Sequence, residues 1–435
     1  MIKNENNQTT SESQFSPSRT KGQMVSLDTN EDANVIVKKY GGTSVGSIER
    51  IENLAARLVR DIARGQKPIV VASAMSGETN RLIDLAEQID PDYRGSAYDM
   101  LIASGEQVSI SLLAIALQKR GVKAQPLLAY QLGILTDSVH AKARIKEIDG
   151  RALKTLTAQG IVPVVAGFQG LGDDNQITTL GRGGSDTTAV ALAAAIGAKD
   201  CEIFTDVPAV YTADPRLVPM AREIAFISYD EMMEMAALGS KILHIRCVEI
   251  AAKYGIRIHV RSTFEDRTGT WIVPEGEVLE EALVSAVTHD ANTAVFKLFP
   301  VPGGSAFLGS LFESLASRGV VVDIITQSDS KEGQRLAFSV TKEDVPLTRQ
   351  MLKETAVHGQ DVTLIENMAK ISVVGVGMRN HPGVAARFFK ILAKHDIPIH
   401  IVTTSEIKIS AVIDQKDLAI AATALHTEFG LDRLD

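Results

Sequence analysis

The sequence has little cysteine, few aromatic residues and no excess of positive charge, and these shortages exclude several classes of protein. Its 435 residues include two cysteines, Cys201 and Cys247, too few for a disulfide framework or a zinc site. We therefore expect a reducing, cytoplasmic compartment. The net charge of −8 argues against a nucleic-acid binder or a protein of anionic membranes. No apolar run approaches the ~18 residues of a spanning helix, and no signal-peptide core opens the chain.

What is present is an ordinary globular composition, 45% hydrophobic and 23% charged. At ~150 residues per domain the length suggests about three domains. Residues 1–34 are rich in Asn, Gln, Ser and Thr without periodic apolar positions, which predicts a disordered tail. From Val35 to about Thr263 short apolar runs alternate with helical patterns, as in an α/β sandwich built on a mostly parallel sheet.

The individual elements follow from the same periodicity. The predicted strands are Val35–Lys39, Pro68–Ser73, Lys123–Leu128, Val162–Gly167, Glu202–Thr205 and Arg257–Val260. The predicted helices are Ile48–Ile62, Asn80–Ile89, Tyr98–Arg120, Ala143–Ala158, Asp186–Ile196 and Ser228–Tyr254.

Beyond a linker near Arg267–Gly276 the chain repeats itself at an offset of 77 residues. Leu311–Ala316 lies over Phe388–Ala393, and Val322–Ser328 lies over Ile399–Ser405 without a gap. Each copy has the pattern strand, helix, strand, strand, helix. A repeated module of this kind predicts two compact units packed side by side.

A first glycine-rich motif, Lys39-Tyr40-Gly41-Gly42-Thr43-Ser44, lies between a predicted strand and a predicted helix. Paired glycines let the backbone approach an anion, and the helix N-terminus adds a positive dipole. Lys39 supplies a point charge for phosphate. No Gly-Lys-Ser/Thr closes the loop, so it is not a Walker A motif. A purely structural glycine turn is the alternative interpretation.

A second motif, Gly181-Arg182-Gly183-Gly184-Ser185-Asp186, also precedes a helix but adds a guanidinium and a carboxylate. Arg182 is suited to hold a carboxylate in a bidentate fork, and Asp186 to receive an ammonium. A small zwitterionic substrate is the natural guess. The alternative is that Arg182 and Asp186 form an ion pair that only stabilises the loop. A third motif, Thr205–Arg216, is a Pro- and Asp-containing loop after a strand.

These three motifs together resemble the aspartate kinases of the amino acid kinase family. Ser73–Asn80, Ser104–Glu106 and Gly239–His244 are similar to further loops of that family, and the repeat resembles its paired ACT modules. The resemblance spans Val35–Leu431 and includes the order of the motifs. It implies a three-layer sandwich kinase domain with a mostly parallel central sheet, followed by two ferredoxin-like (βαββαβ) ACT domains. The implied divisions are a tail at 1–34, a kinase domain at 35–282, and ACT domains at 283–362 and 363–435.

The resemblance also implies the reaction, transfer of the γ-phosphoryl group of MgATP to the side-chain carboxylate of L-aspartate, and the residues that serve it. This reaction is the entry step to lysine, threonine and methionine. The implied catalytic residues are Lys39, Arg182 and Asp186. The implied aspartate-binding residues are Ser73, Thr79, Glu106, Arg182 and Ser185, with Glu106 and Asp186 receiving the α-ammonium. The implied nucleotide-binding residues are Lys39, Gly41, Gly42, Thr205, Asp206, Tyr211, Arg216 and Lys241. Mg²⁺ is expected to arrive with ATP, and no protein metal site is expected.

Regulation is implied by the ACT pair, with lysine, threonine or both as inhibitors and a homo-oligomer formed through these modules. Only the second copy has a Pro-Gly turn at the matching helix start, because Pro302-Gly303 of the first copy lies three residues too early. We therefore expect the better-defined effector site in the second copy. Its expected residues are Asn380, His381, Pro382, Gly383, Val384, Thr404, Ser405 and Glu406.

Two other functions compete with this one. Another small-molecule kinase of the same superfamily, acting on glutamate, N-acetylglutamate or a nucleotide, would share the glycine loops; the loop Ser73–Asn80 and the ACT pair argue against it. A catalytically inactive sensor would have lost Lys39, Glu106 or Arg182, and all three are present.

Overall fold

The computed structural model describes residues 34–240, 242–278, 282–331, 333–354 and 361–433, without the side chain of Asn380. The predicted tail, apart from Asn34, lies outside these residues, as does Lys241. In chain order the helices are α1 (Ile48–Ala63), α2 (Glu78–Glu87), α3 (Ser96–Ile102), α4 (Ser104–Lys119), α5 (Arg151–Ala158), α6 (Gly184–Ile196), α7 (Tyr229–Ala237), α8 (Ile245–Tyr254), α9 (Ser305–Ala316), α10 (Val345–Glu354), α11 (Val384–Lys394) and α12 (Leu418–Glu428).

The first part of the chain is organised around an eight-stranded sheet. Its strands are β1 (Val35–Tyr40), β2 (Lys67–Ala72), β3 (Ala124–Leu127), β6 (Val162–Ala166), β9 (Asp200–Thr205), β10 (Phe226–Ser228), β11 (Arg257–Ser262) and β12 (Thr270–Val273). Their order is β10-β12-β11-β9-β1-β2-β6-β3, and every neighbouring pair is parallel except β11 with β12. The predicted mostly parallel sheet is confirmed.

Helices cover both faces of this sheet, as the near-continuous apolar strands predict. One face packs against α1 and α4, through residues such as Leu58 and Leu113. The other face packs against α5 to α8, with the small-residue helix α6 at its centre. The result is the expected three-layer sandwich. A second, four-stranded sheet lies beside it, formed by β4 (Ile134–Thr136), β5 (Ile145–Ile148), β7 (Gln169–Leu171) and β8 (Ile177–Thr179).

The two repeats form one antiparallel sheet of six strands. The strands are β13 (Ala286–Val301), β14 (Ile325–Ser330), β15 (Gly333–Thr341), β16 (Asp361–Val374), β17 (Ile399–Thr404) and β18 (Lys408–Asp414), in the order β14-β15-β13-β16-β18-β17. Each copy has the predicted succession of strand, helix, strand, strand and helix.

The two long strands β13 and β16 are shared between the repeats. The second half of β13 pairs with β15 on one side and with the first half of β16 on the other. The first half of β13 pairs with the second half of β16, which also pairs with β18. The sixth element of each expected βαββαβ module is therefore half of the other repeat's long strand. The predicted boundary at 362/363 falls inside β16, and the division into domains stays a prediction.

Several predicted element boundaries are wrong. Ala143–Ala158 is a strand and a helix, β5 and α5, because Asp149-Gly150 separates them. Ser228–Tyr254 and Tyr98–Arg120 are each two helices. The strands β4, β5, β7, β8, β10 and β12 were not predicted, since three or four residues are too few to show a period.

The helical segment Ser96–Lys119 corrects the prediction about apolar runs. With 24 residues and a mean hydropathy of 1.7, it is long and apolar enough, by length and composition alone, to cross a membrane. Its most apolar window is 56% buried inside the protein. Ile110, Leu113 and Leu117 pack there against the main sheet, whereas Val108 and Ile115 are 47% and 61% exposed.

Candidate active site

Five parallel strands of the main sheet end at one edge. Tyr40 lies opposite Ala72 and Phe204, and Ala72 lies opposite Ala166, so β1, β2, β6 and β9 finish in register. Ser262 lies opposite Thr205 at the end of β11. In open α/β sheets ligands bind at the carboxyl edge of the strands. The glycine motifs after β1 and before α6 both open at this edge.

Lys39 and Asp186 form an ion pair at this edge. The distance from Lys39 Nζ to Asp186 Oδ1 is 2.5 Å, and both side chains are about nine-tenths buried. Lys39 comes from β1 and Asp186 from the first turn of α6. The neighbouring Lys38 points to the opposite face, as strand alternation predicts. There it pairs with Asp61 at 2.7 Å and with Glu202 at 3.1 Å.

The loop after Lys39 requires glycine for steric reasons. A Cβ atom on Gly42 would lie 2.9 Å from the carbonyl oxygen of Ala74, so the two loops after β1 and β2 are in close contact. The amide of Gly41 donates to the carbonyl of Phe204 at 3.2 Å. An added Cβ there would be 3.6 Å from Lys39 Nζ, which places the Gly41 backbone beside the lysine charge.

Glu106 has a buried carboxylate with one oxygen in use and one free. Its Oε1 accepts a hydrogen bond from the amide of Ala74 at 3.0 Å. Its Oε2 is buried and has no hydrogen-bond partner among the described residues. Burial raises the pKa of the Glu106 carboxyl to about 8. Such a group gains a counter-charge when an ammonium binds beside it.

Arg182 lies on a loop whose backbone is fixed while its side chain is exposed. Gly181 and Gly183 have left-handed φ angles of 76° and 68°. A Cβ atom on Gly183 would lie 2.2 Å from that of His244, so only glycine fits there. Arg182 itself has no hydrogen bond or ion pair within the described part of the chain, and its guanidinium is available for a ligand.

The predicted neutral donors flank these groups. Ser73 and Thr79 are half-buried, on the loop after β2 and in the first turn of α2. Ser185 is buried in the first turn of α6, and its side chain fills the space above Gly167 after β6.

Two residues that hold the Arg182 loop were missed. Asp99 is fully buried and accepts hydrogen bonds from the Ala141 amide, from the Thr179 amide and, at 2.6 Å, from the Thr179 hydroxyl. It also contacts His140 Nδ1 at 2.8 Å. The sequence signal that could have identified Asp99 is that it is the single carboxylate in the apolar segment 98–102.

Arg246 is the second missed residue. It donates to the carbonyls of Leu180 at 2.6 Å and Ala143 at 2.9 Å, immediately before the loop. Asp99 and Arg246 therefore bind the same two chain segments, 141–143 and 179–180.

The predicted nucleotide-binding residues are less closely assembled than the residues around the Lys39–Asp186 pair. Thr205 Oγ1 lies 3.2 Å from Asp206 Oδ1, and Asp206 is exposed beyond β9. The Tyr211 hydroxyl contacts Glu223 at 3.3 Å. Arg216 is 91% exposed and is paired with Asp214. These contacts do not join Tyr211 or Arg216 to the Lys39 pair, and Lys241 lies outside the described residues.

The predicted effector residues lie on two loops of the second repeat. Gly383 precedes α11 with a φ of 104° and open space around it, with Pro382 exposed before it and Val384 buried after it. Ser405 and Glu406 form the exposed turn that follows Thr404 at the end of β17.

An ion contact brings these two loops together. Arg379 Nε lies 3.6 Å from Glu406 Oε2, and His381 Nδ1 lies 2.8 Å from the Gly377 carbonyl. Of Asn380 only the backbone is described.

Helix α7 connects this second repeat with the main sheet. Glu231 Oε1 accepts hydrogen bonds from the Ser285 hydroxyl at 2.6 Å and the Val376 amide at 3.1 Å. Arg379 pairs with Asp230 at 3.2 Å, and Lys408 pairs with Glu234 at 2.8 Å. Residues that flank the predicted effector loops are thus in direct electrostatic contact with an element of the kinase-like part.

Comparison with known proteins gives consistent matches. The model of the amino acid kinase family matches residues 34–262, and that of the ACT domain matches residues 371–429. The chain is 45% identical to an aspartokinase of Geobacillus stearothermophilus, over 91% of this chain and 97% of the relative. It is 46% identical to an aspartate kinase of Pseudomonas fluorescens, over 92% and 98% respectively.

Solved structures give the same picture. An E. coli aspartokinase III in complex with aspartate and ADP superposes with a TM-score of 0.75 at 25% identity, covering 91% of this chain and 99% of that one. The same enzyme in complex with lysine and aspartate gives a TM-score of 0.74 at 26% identity, covering 91% and 100%.

Proposed function

The chain belongs to the aspartate kinases of the amino acid kinase family, and we propose that it phosphorylates the side-chain carboxylate of L-aspartate with ATP, giving 4-phospho-L-aspartate. It is a phosphotransferase with an ACT domain. The proposed reaction is the first step toward lysine, threonine and methionine, and its proposed compartment is the cytoplasm. The observation that carries the proposal is the Lys39–Asp186 ion pair at the carboxyl edge of the sheet.

Lys39 is the proposed electrostatic catalyst. The attacking aspartate carboxylate is already ionised at pH 7, so the reaction needs no general base. A carboxylate oxygen forms the new bond to the γ-phosphorus while the bond to the bridging oxygen breaks and ADP leaves. Negative charge moves over the phosphoryl oxygens during transfer, and a fixed ammonium with the nearby backbone amide of Gly42 is proposed to stabilise it. The expected amide contact from Gly41 stays a prediction, since this amide donates to the Phe204 carbonyl. Asp186 keeps the Lys39 ammonium at this position.

Aspartate recognition is assigned to residues around the carboxyl edge. Arg182 has an uncommitted guanidinium, which suits the α-carboxylate of the substrate. Glu106 has a buried, unpartnered oxygen, which suits the α-ammonium. Ser73, Thr79 and Ser185 are proposed as neutral donors. The earlier expectation that Asp186 also receives the ammonium stays a prediction, since its Oδ1 is occupied by Lys39.

On the nucleotide side we assign Thr205, Asp206, Tyr211, Arg216 and Lys241. Mg²⁺ would enter with ATP, held mainly by phosphate oxygens and water, and would neutralise charge on the phosphates. In the described ranges no group of three or more His, Cys, Asp or Glu side chains could hold a metal ion.

Feedback regulation is proposed to act through an effector site in the second repeat. The chain is also proposed to form a homo-oligomer. Lysine, threonine or both would bind around Asn380–Val384 and Thr404–Glu406, with the carboxylate at the free amides before α11. The contacts of α7 with Arg379 and Lys408 support a direct effect on the kinase part.

A coupled ADP-release assay tests the reaction. The purified chain should turn over with L-aspartate and not with glutamate or N-acetylglutamate, and turnover should require Mg²⁺. Preference for another acceptor, or ADP release independent of any acceptor, would contradict the assignment. Inhibition curves with lysine and threonine, alone and together, test the regulation separately.

A further inference from the structure

A large cleft lies on the face of the main sheet opposite the Lys39–Asp186 pair. Its volume is about 1050 Å³, and it runs along α1 to the end of β11 and the loop Thr263–Asp266. Lys38 lines it, whereas Lys39 points to the other face of the same strand. The cleft is therefore separated from the proposed catalytic site by the thickness of the sheet.

The lining of this cleft is cationic although the chain as a whole is acidic. Six cationic side chains line it against the four carboxylates of Glu49, Asp61, Glu265 and Asp266, while the whole chain carries −8. The cations are Lys38, Arg50, Arg57, Arg60, Arg64 and Arg261. A local excess of positive charge in a concave, low-dielectric site attracts anions.

Four of these arginines lie on one side of α1 and its C-cap without carboxylate partners: Arg50, Arg57 and Arg60 on the helix, and Arg64 as the C-cap residue. At 100° per residue, positions 50, 57, 60 and 64 fall within an arc of about 80°. Arg57 donates only to the carbonyls of Ser262 and Thr263, both at 3.3 Å. Arg60 and Arg64 make no side-chain hydrogen bond or ion pair within the described ranges. Their guanidinium forks are free for an external oxyanion.

Arg57 is also held rigidly in place. Its guanidinium lies 4.4 Å from the centroid of the Phe204 ring, which stacks on Tyr40 at 4.7 Å. Arg261 lies over the same ring at 5.6 Å. A guanidinium fixed by stacking loses little freedom when it binds a ligand.

Polar atoms at the base of the cleft lack partners. Arg261 Nε and Gln66 Oε1 line the cleft, are buried and have no hydrogen-bond partner among the described residues. The hydroxyl of Tyr40, a fully buried residue beneath Phe204, is also without one. The guanidinium of Arg261 is otherwise paired, with Glu202 at 3.1 Å and with Asp266 at 3.7 Å, so the uncommitted positive charge of the cleft comes from the arginines along α1.

We propose that this cleft binds a phosphorylated small molecule carrying two or more negative charges, separately from the ATP of the reaction. A bounded cleft of this volume fits a compound of nucleotide size. The uncommitted guanidiniums of Arg60 and Arg64, with Arg50 and Arg57 beside them free of carboxylate partners, match a phosphate, which offers more acceptor oxygens and charge than a carboxylate.

The cleft also touches the catalytic loop. Arg50 donates to the carbonyl of Thr43 at 2.7 Å, and Ser44 Oγ lies 2.6 Å from Thr263 Oγ1. Thr43 and Ser44 follow Gly41-Gly42 directly. A ligand that draws Arg50 or Thr263 toward itself therefore acts on the loop that is proposed to hold the phosphates of ATP.

Calorimetric titration of the full chain with inorganic pyrophosphate, in the absence of ATP, tests the proposal. The compared variants are Arg60→Ala/Arg64→Ala in the cleft, Lys39→Ala in the catalytic site, and Arg349→Ala, an exposed arginine on α10, as matched control. We expect binding with a Kd below about 1 mM. The cleft variant should weaken this binding at least tenfold, and the Arg349→Ala control should leave it unchanged within twofold. Lys39→Ala should retain the binding step of the cleft and remove only a second step at the proposed ATP-phosphate site. Thermal melts confirm that each variant is folded.

Three results would overturn the proposal. If the wild-type chain shows no binding of pyrophosphate at concentrations up to about 10 mM, the proposed site does not exist. Binding lost in Lys39→Ala but retained in the cleft variant places the anion in the catalytic site. Citrate that binds the cleft as tightly as pyrophosphate contradicts the assignment to phosphate. None of these results depends on whether the chain phosphorylates aspartate.

Discussion

Lys39 Nζ lies 2.5 Å from Asp186 Oδ1, which joins the end of the first strand to the first turn of α6. Each residue belongs to a different glycine-rich loop, and each loop on its own could be a structural turn. The ion pair unites them in one site. It also fixes the lysine charge before any nucleotide arrives, and a preorganised charge costs no reorganisation during transfer.

Replacing Lys39 should abolish most catalysis while the protein stays folded. Lys39→Ala removes the proposed main stabiliser of transferring phosphoryl charge, so kcat should fall by ~10³-fold or more. Aspartate binding should change less. Steady-state kinetics decide the matter: a variant with more than a tenth of wild-type turnover would show that the role is misassigned.

Lys38 provides the matched control on the same strand. It is buried and pairs with Asp61 and Glu202 on the α1 face. Lys38→Ala leaves Asp61 without a counter-charge and Glu202 with Arg261 as its remaining partner at 3.1 Å, and breaking this buried pair should cost about 3–5 kcal/mol of unfolding free energy. Denaturant melts should detect this loss. Equal effects of both lysines on stability, with equal effects on kcat, would remove the distinction between the two faces.

Substrate contacts should affect aspartate and ATP differently. Arg182→Ala removes the proposed contact with the α-carboxylate, and Glu106→Gln removes the proposed contact with the ammonium, which is charge-assisted above about pH 8; at that pH each loss should cost roughly 2–5 kcal/mol. Titration with aspartate should show this weakening, and titration with a non-hydrolysable ATP analogue should not. If both ligands weaken together, the residues hold the fold instead of the substrate.

The raised pKa of Glu106 predicts a pH profile. The carboxyl is neutral below about 8 and offers no counter-charge to the ammonium of aspartate. The kcat/KM for aspartate should therefore rise with pH, with its midpoint near 8 and a plateau above it. Glu106→Gln should flatten this limb.

Stability should show the opposite trend with pH. Because burial raises the folded-state pKa, the folded state binds the proton more tightly than the unfolded chain. The contribution of Glu106 to stability is fully present below the unfolded pKa of ~4.3 and is lost as pH rises toward 8. Glu106→Gln should lose less stability than wild type over this range, and a profile identical to that of wild type would exclude the shift.

Asp99 is expected to act through Arg182. Asp99→Asn keeps the shape but weakens the hydrogen bonds to Ala141 and Thr179, so the Arg182 loop should be displaced. A displaced Arg182 makes a weaker contact with the α-carboxylate of aspartate, and a loss of about 1.4 kcal/mol is tenfold in binding, so KM for aspartate should rise about tenfold or more while kcat changes less. A loss of stability without a change in KM would indicate a purely structural role.

Bulky substitutions in the second repeat should relieve inhibition. Ser405→Trp blocks the turn beside Glu406 without backbone strain, whereas Gly383→Ala tests the left-handed position before α11. Effector coupling is typically ~1–3 kcal/mol, so the inhibition curves should shift by roughly 5- to 150-fold at unchanged uninhibited rate. Unchanged curves for lysine and threonine in both variants would move the effector site to the first repeat.

Sequence reasoning reached the parts of the site that local pattern encodes. Strand alternation separates Lys38 from Lys39, and glycines before α6 identify the loop of Arg182. It missed Asp99 because its role consists of hydrogen bonds to distant segments, and distance along the chain carries no local signal. It missed β4, β7 and β8 because three-residue strands have no measurable period. The likeness of the repeats was visible, but the pairing of their strands was not.

The shared strands β13 and β16 have a consequence for dissecting this protein. Cutting between the repeats would strip each fragment of half a central strand and leave a long unpaired edge, a template for aggregation. The two repeats should therefore melt in one cooperative transition. A regulatory graft onto another enzyme would have to carry both repeats, even if only one binds an effector.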